Sequence, residues 1–153
     1  MSTAPYAVPS PPATVRTVVL PDELASRPLL SLLPRGTATT SWVTTDADGG
    51  DTGLVGWGEA ARAELGGPER FSRAQRWWAG WLSDADVDDA LQVPGSGPVA
   101  FASFAFDPTP GTSVIVVPSV VVGRRDGVSW LTVVAESPRA ARASIDETLL
   151  ALR

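Results

Sequence analysis

The chain contains no cysteine, no histidine, no lysine and no asparagine, so all 12 of its basic residues are arginines. Each absence removes a chemistry. Without cysteine there is no thiol nucleophile and no disulfide framework. Without histidine there is no Ser-His-Asp triad, and without either residue no zinc site of the usual ligands. Without lysine there is no Schiff base. The lack of cysteine is compatible with a cytoplasmic location. No apolar run approaches the 18 or so residues of a membrane span, and the start, MSTAPYAVPSPPATVR, has neither a basic nor an apolar signal region. Nor is there a basic run: the arginines are dispersed and the net charge is −5, which gives no footprint for a phosphate backbone. The expectation is a soluble, cytoplasmic chain with neither nucleic acid nor membrane as a partner.

What is present points to one globular unit. At 153 residues, with 44% hydrophobic and 19% charged content, the chain can bury about two thirds of its unfolded surface in a single core. Pro5, Pro9, Pro11 and Pro12 make residues 1–13 a Pro-rich leader, extended and expected to be disordered. Residues 14–153 then read as one α+β domain, a mostly antiparallel sheet with a few packed helices.

Along that domain, Thr14 to Leu20 is β-rich, and PDELASRPLLSLLP predicts a short helix interrupted near Pro28 and finished by Pro34. Residues 38–45 and 52–57 flank DADGGD, a hairpin turn signal. From Pro68 to Leu82 the spacing is helical, with Phe71, Ala74, Trp77, Trp78, Trp81 and Leu82 on one side and Arg70, Arg73 and Arg76 on the other. The run DADVDDAL predicts a second short helix with Asp84 as its N-cap. Residues 98–106 are apolar on both faces, which predicts a central strand covered on both sides. Val114 to Val117 and Val120 to Val122 repeat that character. Arg124 to Gly127 is a hairpin signal before Ser129 to Ala135, and Ser137-Pro138 opens a last helix with Ala141, Ile145 and Leu149 in one stripe. The helices are too few to cover such strands fully, so some apolar sheet is expected to stay open.

Four groups are candidates for chemistry. Trp77, Trp78 and Trp81 could stack on a sugar, but their shared helical face favours core packing. Asp84, Asp86, Asp88 and Asp89 could hold a hard cation, yet they lack the turn glycine and distal glutamate of a calcium loop and suit a solvated helix start better. Glycines at 53, 56, 58, 95 and 97 lack the order of a phosphate-binding loop, and turns or close approach explain them more simply. Arg124, Arg125 and Asp126 could touch an anion, or merely form a polar hairpin tip.

Three blocks carry a family likeness: GLVGWGEAAR from Gly53, GPVAFASFAFDP from Gly97, and PSVVVGRRDG from Pro118 with Trp130-Leu-Thr. With the Trp-rich helix between them they resemble the first part of the isochorismate synthases, within the chorismate-utilising enzymes whose salicylate, anthranilate and aminodeoxychorismate members share the fold. The resemblance implies a Mg2+-dependent isomerisation of chorismate to isochorismate, for menaquinone or siderophore biosynthesis, in which a lysine activates water, a glutamate protonates the departing hydroxyl and other glutamates hold the metal. Those groups belong to a C-terminal chorismate-binding portion whose motifs this chain lacks, and it has no lysine. No catalytic, cofactor-binding or metal residue is therefore assigned here. The expectation is a truncated or split N-terminal scaffold, inactive alone, that binds no cofactor itself, with Mg2+ only in the full-length family. Its partner would be a separately encoded C-terminal half. A non-enzymatic α+β interaction module is the alternative.

Overall fold

In the computed structural model, which describes residues 12–109 and 111–153, the β-rich runs form two sheets. The leader expected over residues 1–13 lies outside the described residues apart from Pro12 and Ala13. The larger sheet has six strands: β1 (Thr14–Val19), β2 (Thr39–Thr45), β3 (Asp51–Trp57), β5 (Asp86–Asp89), β8 (Val120–Arg125) and β9 (Val128–Ala135), in the order β2-β3-β8-β9-β1-β5. The smaller contains β4 (Ala61–Gly66), β6 (Phe101–Ser103) and β7 (Thr112–Val117) in the order β4-β7-β6. Every pairing is antiparallel except that of β1 with β5. The expected α+β class is what the chain adopts.

Register explains which residues are buried, because paired residues share a face of the sheet. Val18 and Val122 both lie opposite Leu131, Val120 lies opposite Val133, and Val55 opposite Val122. That face is covered by α1 (Asp22–Ala25), a 3-10 turn over Leu29–Leu32, and α3 (Pro138–Leu152). Leu24, Leu29, Leu32 and Ala141 complete a single cluster there, with Ile145 and Leu149 packed against it. At roughly 2 kcal/mol for each fully buried aliphatic side chain, this cluster is the main hydrophobic contribution to stability. The Ser137 side chain caps α3, accepting from the Ala140 amide at 3.1 Å.

The opposite face carries Val15, Thr17, Val121, Trp130 and Thr132, all buried. The loop after β5 crosses part of it. The Gly97 amide donates to Thr17 Oγ1 at 3.2 Å, and that hydroxyl lies 2.8 Å from Thr132 Oγ1. The β8–β9 turn uses Asp126 and Gly127 at φ 50° and 78°, the left-handed pair that a two-residue hairpin requires.

The small sheet carries α2 (Arg70–Asp84) against β4, with Leu65, Ala74 and Ile115 as a second cluster and Trp77 and Trp78 packed on it. Among the described residues no helix is long and apolar enough to cross a membrane.

Several expectations fail. DADVDDAL is not a helix: α2 runs on to Asp84, Ala85 is extended, and Asp86–Asp89 pair in parallel with the otherwise free side of β1. Aspartates form helices weakly and suit an exposed edge, where charge discourages further pairing. Residues 98–106 are not a central covered strand. Only Phe101–Ser103 is regular, it pairs with β7 alone, and Ala102 and Ser103 are exposed. The run owed much of its apolar look to alanines, which carry little transfer energy. It is drawn out of the sheet after Ser103, where Ala105 donates to Ser113 Oγ at 2.9 Å. Two residues of α2 also change sides: Arg70 is buried and Phe71 is exposed. Strand β4 had no counterpart in the sequence reading, since ARAELG alternates too weakly to mark it.

Candidate functional site

The Trp-rich helix forms one wall of the largest opening described, a groove of about 670 Å3 between α2 and the start of β4. Trp77, Gly80 and Trp81 come from α2, Arg62 from β4, and Pro12 and Ala13 from the entry into β1. The Ala13 carbonyl is held there by the Asp86 amide at 2.8 Å. Trp78 lies behind, stacked on Trp81 with centroids 5.4 Å apart and planes 11° from parallel. The packing reading holds for Trp77 and Trp78, which pack on the second cluster, while Trp77 and Trp81 also present half-buried ring surface to the groove. Arg62 is paired with Glu64 and Glu59 at 3.2 and 3.3 Å, and the hydrogen bond to Glu64, helped by Glu59, pushes its already high pKa further up. It is a fixed cation.

A second cavity, about 190 Å3, opens between Trp42, Leu54, Pro94, Gly95 and Trp130. Trp130 is buried, its indole lying flat on Gly123, where a Cβ would meet the ring at 2.3 Å. Its Nε1 has no hydrogen-bond partner among the described residues. Trp42 on β2 is 70% exposed. The sequence held a signal for this site that went unread: a glycine inside the apolar run VVVGRR marks close approach of another group.

The remaining candidates take structural roles. Arg124 directs Nε to Ser129 Oγ at 3.0 Å, Nη1 to Asp51, and Nη2 to the carbonyls of Ala25 and Arg27, so its donors are engaged within the chain. Arg125 and Asp126 form an exposed tip with an ion pair at 3.7 Å. The four aspartates do not converge. Asp84 ends α2, Asp86 pairs with Arg16 at 2.8 Å, and Asp89 accepts from the Leu91 and Gln92 amides and from Ser96 Oγ. Among the described residues no three His, Cys, Asp or Glu side chains are gathered as a metal site. Gly53 lies within a hairpin, Gly95 packs on Trp130, and Gly97 faces Asp89; neither these nor Gly56 and Gly58 open a helix as a phosphate loop would.

Arg70 was missed as well. Its guanidinium is buried with no carboxylate partner among the described residues and donates to the carbonyls of Ala105 (2.9 Å), Phe106 (3.1 Å) and Gly67 (3.2 Å). It thereby fixes a loop in which Phe104, tilted against Phe71 at 4.7 Å, and a wholly exposed Phe106 face outward.

Residues 19–150 match the family described as chorismate binding enzyme. No curated protein and no solved structure matches the chain.

Proposed function

The chain belongs to the chorismate-binding enzyme family, and from that premise we propose that it is the scaffold portion of an isochorismate synthase-like protein, inactive by itself. The finer assignment rests on the three sequence blocks from Gly53, Gly97 and Pro118 and on the Trp-rich helix between them. The observation that carries the inactivity is the composition: a chain of this family contains no lysine at any of its 153 positions. A water-activating base must stand within hydrogen-bond reach of the proton it takes. In this reading the base, the proton donor and the Mg2+ ligands come from a chorismate-binding portion outside these 153 residues, and the assembled protein works in the cytoplasm for menaquinone or siderophore synthesis.

The test is an assay of the purified chain with chorismate and Mg2+. No isochorismate is expected. Turnover above the uncatalysed background by this chain alone overturns the proposal.

One observation favours a second reading, a non-enzymatic interaction module. Phe104 and Phe106 are displayed beside β6, whose outer edge has no partner among the described residues. A stable, well-protected monomer or dimer in amide exchange and solution scattering supports that reading, and a loosely protected, aggregating chain counts against it.

A further inference from the structure

We infer that residues 90–96 form a hinged flap that opens as a unit over the indole of Trp130, with Asp89 as the positioning residue that holds it shut. The inference goes beyond the chorismate reading and does not depend on it. Both ends of the segment are fixed at one point. Asp89 ends β5 opposite Thr17 on β1. The chain returns at Gly97, whose amide donates to Thr17 Oγ1 at 3.2 Å and where a Cβ would lie only 3.1 Å from Asp89 Oδ2. A compact loop whose ends meet can turn about them without disturbing the strands on either side.

What holds the flap closed is polar and comes largely from one carboxylate. Asp89 Oδ1 accepts the Leu91 and Gln92 amides at 3.1 and 3.3 Å, and Oδ2 accepts Ser96 Oγ at 2.6 Å. The flap is otherwise tied to itself: the Val93 amide donates to Ser96 Oγ at 3.0 Å, and the Ser96 amide to the Val93 carbonyl at 3.0 Å. It contributes no residue to either hydrophobic cluster, so little apolar burial opposes its opening. The carboxylate also holds Gln92 at φ 50°, a left-handed conformation that is unfavourable for a residue with a side chain and is released on opening.

The tip of the flap touches the ring. Gly95, at φ 93°, approaches so closely that a Cβ would lie 3.3 Å from Leu54 Cδ2 and 3.4 Å from Trp130 Cζ2. Trp130 is 1% exposed, and its Nε1 is buried with no hydrogen-bond partner among the described residues. Pro94 and Gly95 are also part of the wall of the 190 Å3 cavity that Trp130 lines. Lifting the tip therefore widens that cavity and uncovers the indole edge. Admission of water or a small solute to Trp130 then depends on the contacts made by Asp89.

The indole N–H reports the motion directly, because cover rather than a hydrogen bond protects it from exchange. The six indole signals of the full chain are assigned with Trp→Phe variants. Exchange of the Trp130 N–H is expected to be nearly independent of urea well below the unfolding midpoint, whereas the buried Leu131 and Val133 amides exchange with the full urea dependence of global unfolding. An indole that shares the urea slope of those amides overturns the proposal. Asp89→Ala is expected to speed Trp130 N–H exchange about tenfold relative to the Leu131 amide, with the urea slope still small. Ser96→Ala keeps the carboxylate and its two amide contacts and is expected to speed it several-fold. Equal acceleration of indole and amide in these variants would mean that Asp89 and Ser96 support the whole sheet, and overturns their role in a latch. Should Asp89→Ala not fold, Ser96→Ala decides alone.

Discussion

Asp51, opening β3, and Arg124, near the end of β8, form an ion pair that ties three parts of the chain together. The other oxygen of Asp51 accepts the Leu29 amide at 2.6 Å, and Arg124 reaches the Ala25 and Arg27 carbonyls at 2.5 and 2.8 Å. The segment containing α1 and the 3-10 turn is thus held on the sheet by polar contacts as well as by Leu24, Leu29 and Leu32.

Replacing Asp51 with alanine leaves Arg124 largely buried without its charge partner and the Leu29 amide without an acceptor. Both side chains are about 15% exposed or less, so the loss approaches that of a buried pair, about 2–4 kcal/mol. Urea unfolding of Asp51→Ala against the parent measures it. Arg124→Lys, with Asp51 in place, should itself lose stability, because an ammonium cannot reach Ser129, Asp51 and two carbonyls as the guanidinium fork does.

Gly123 and Trp130 sit opposite one another on β8 and β9, with the indole resting on the glycine. Gly123→Ala forces the ring out of its place, since a methyl at 2.3 Å from ring carbons has no room. The expected destabilisation is about 2–3 kcal/mol or more, as for an overpacked core. A red shift of the tryptophan emission should accompany it as the buried ring becomes wetter. An unchanged melting temperature would mean that the indole is not packed there.

Most of the large sheet was legible in the sequence because its strands alternate or run apolar between clear turn residues. DADGGD and RRDG each became hairpin turns, and Ser137-Pro138 opened α3 with Ala141 buried beneath it. The family blocks were legible too. What stayed hidden was tertiary. Nothing local tells that Asp86–Asp89 will pair with a strand 72 residues earlier in sequence, because an edge is created only by the strand it joins. Nothing in the helical period of α2 tells that Arg70 faces inward, since three backbone carbonyls from a loop and a turn make its burial favourable. The groove beside Trp77 and Trp81 was half legible: the aromatic stripe could be read, but the second wall, from Arg62 and Pro12, exists only after folding.

Arg70 and Phe106 separate two roles that meet in one loop. Arg70→Met keeps much of the side chain's volume but removes all donors, leaving the carbonyls of Ala105, Phe106 and Gly67 without partners. Losing three hydrogen bonds to these part-buried carbonyls costs about 1 kcal/mol, and amide exchange around residues 104–109 should accelerate with it. Phe106 is fully exposed and supports nothing beneath it, so Phe106→Ser should change stability by less than about 0.5 kcal/mol. If the displayed aromatic edge holds a partner or a second copy, that same change weakens self-association in sedimentation velocity while leaving the unfolding curve in place. A Phe106→Ser chain that unfolds earlier than the parent would show that the ring packs inward, and the loop would then be a piece of the core rather than a surface for association.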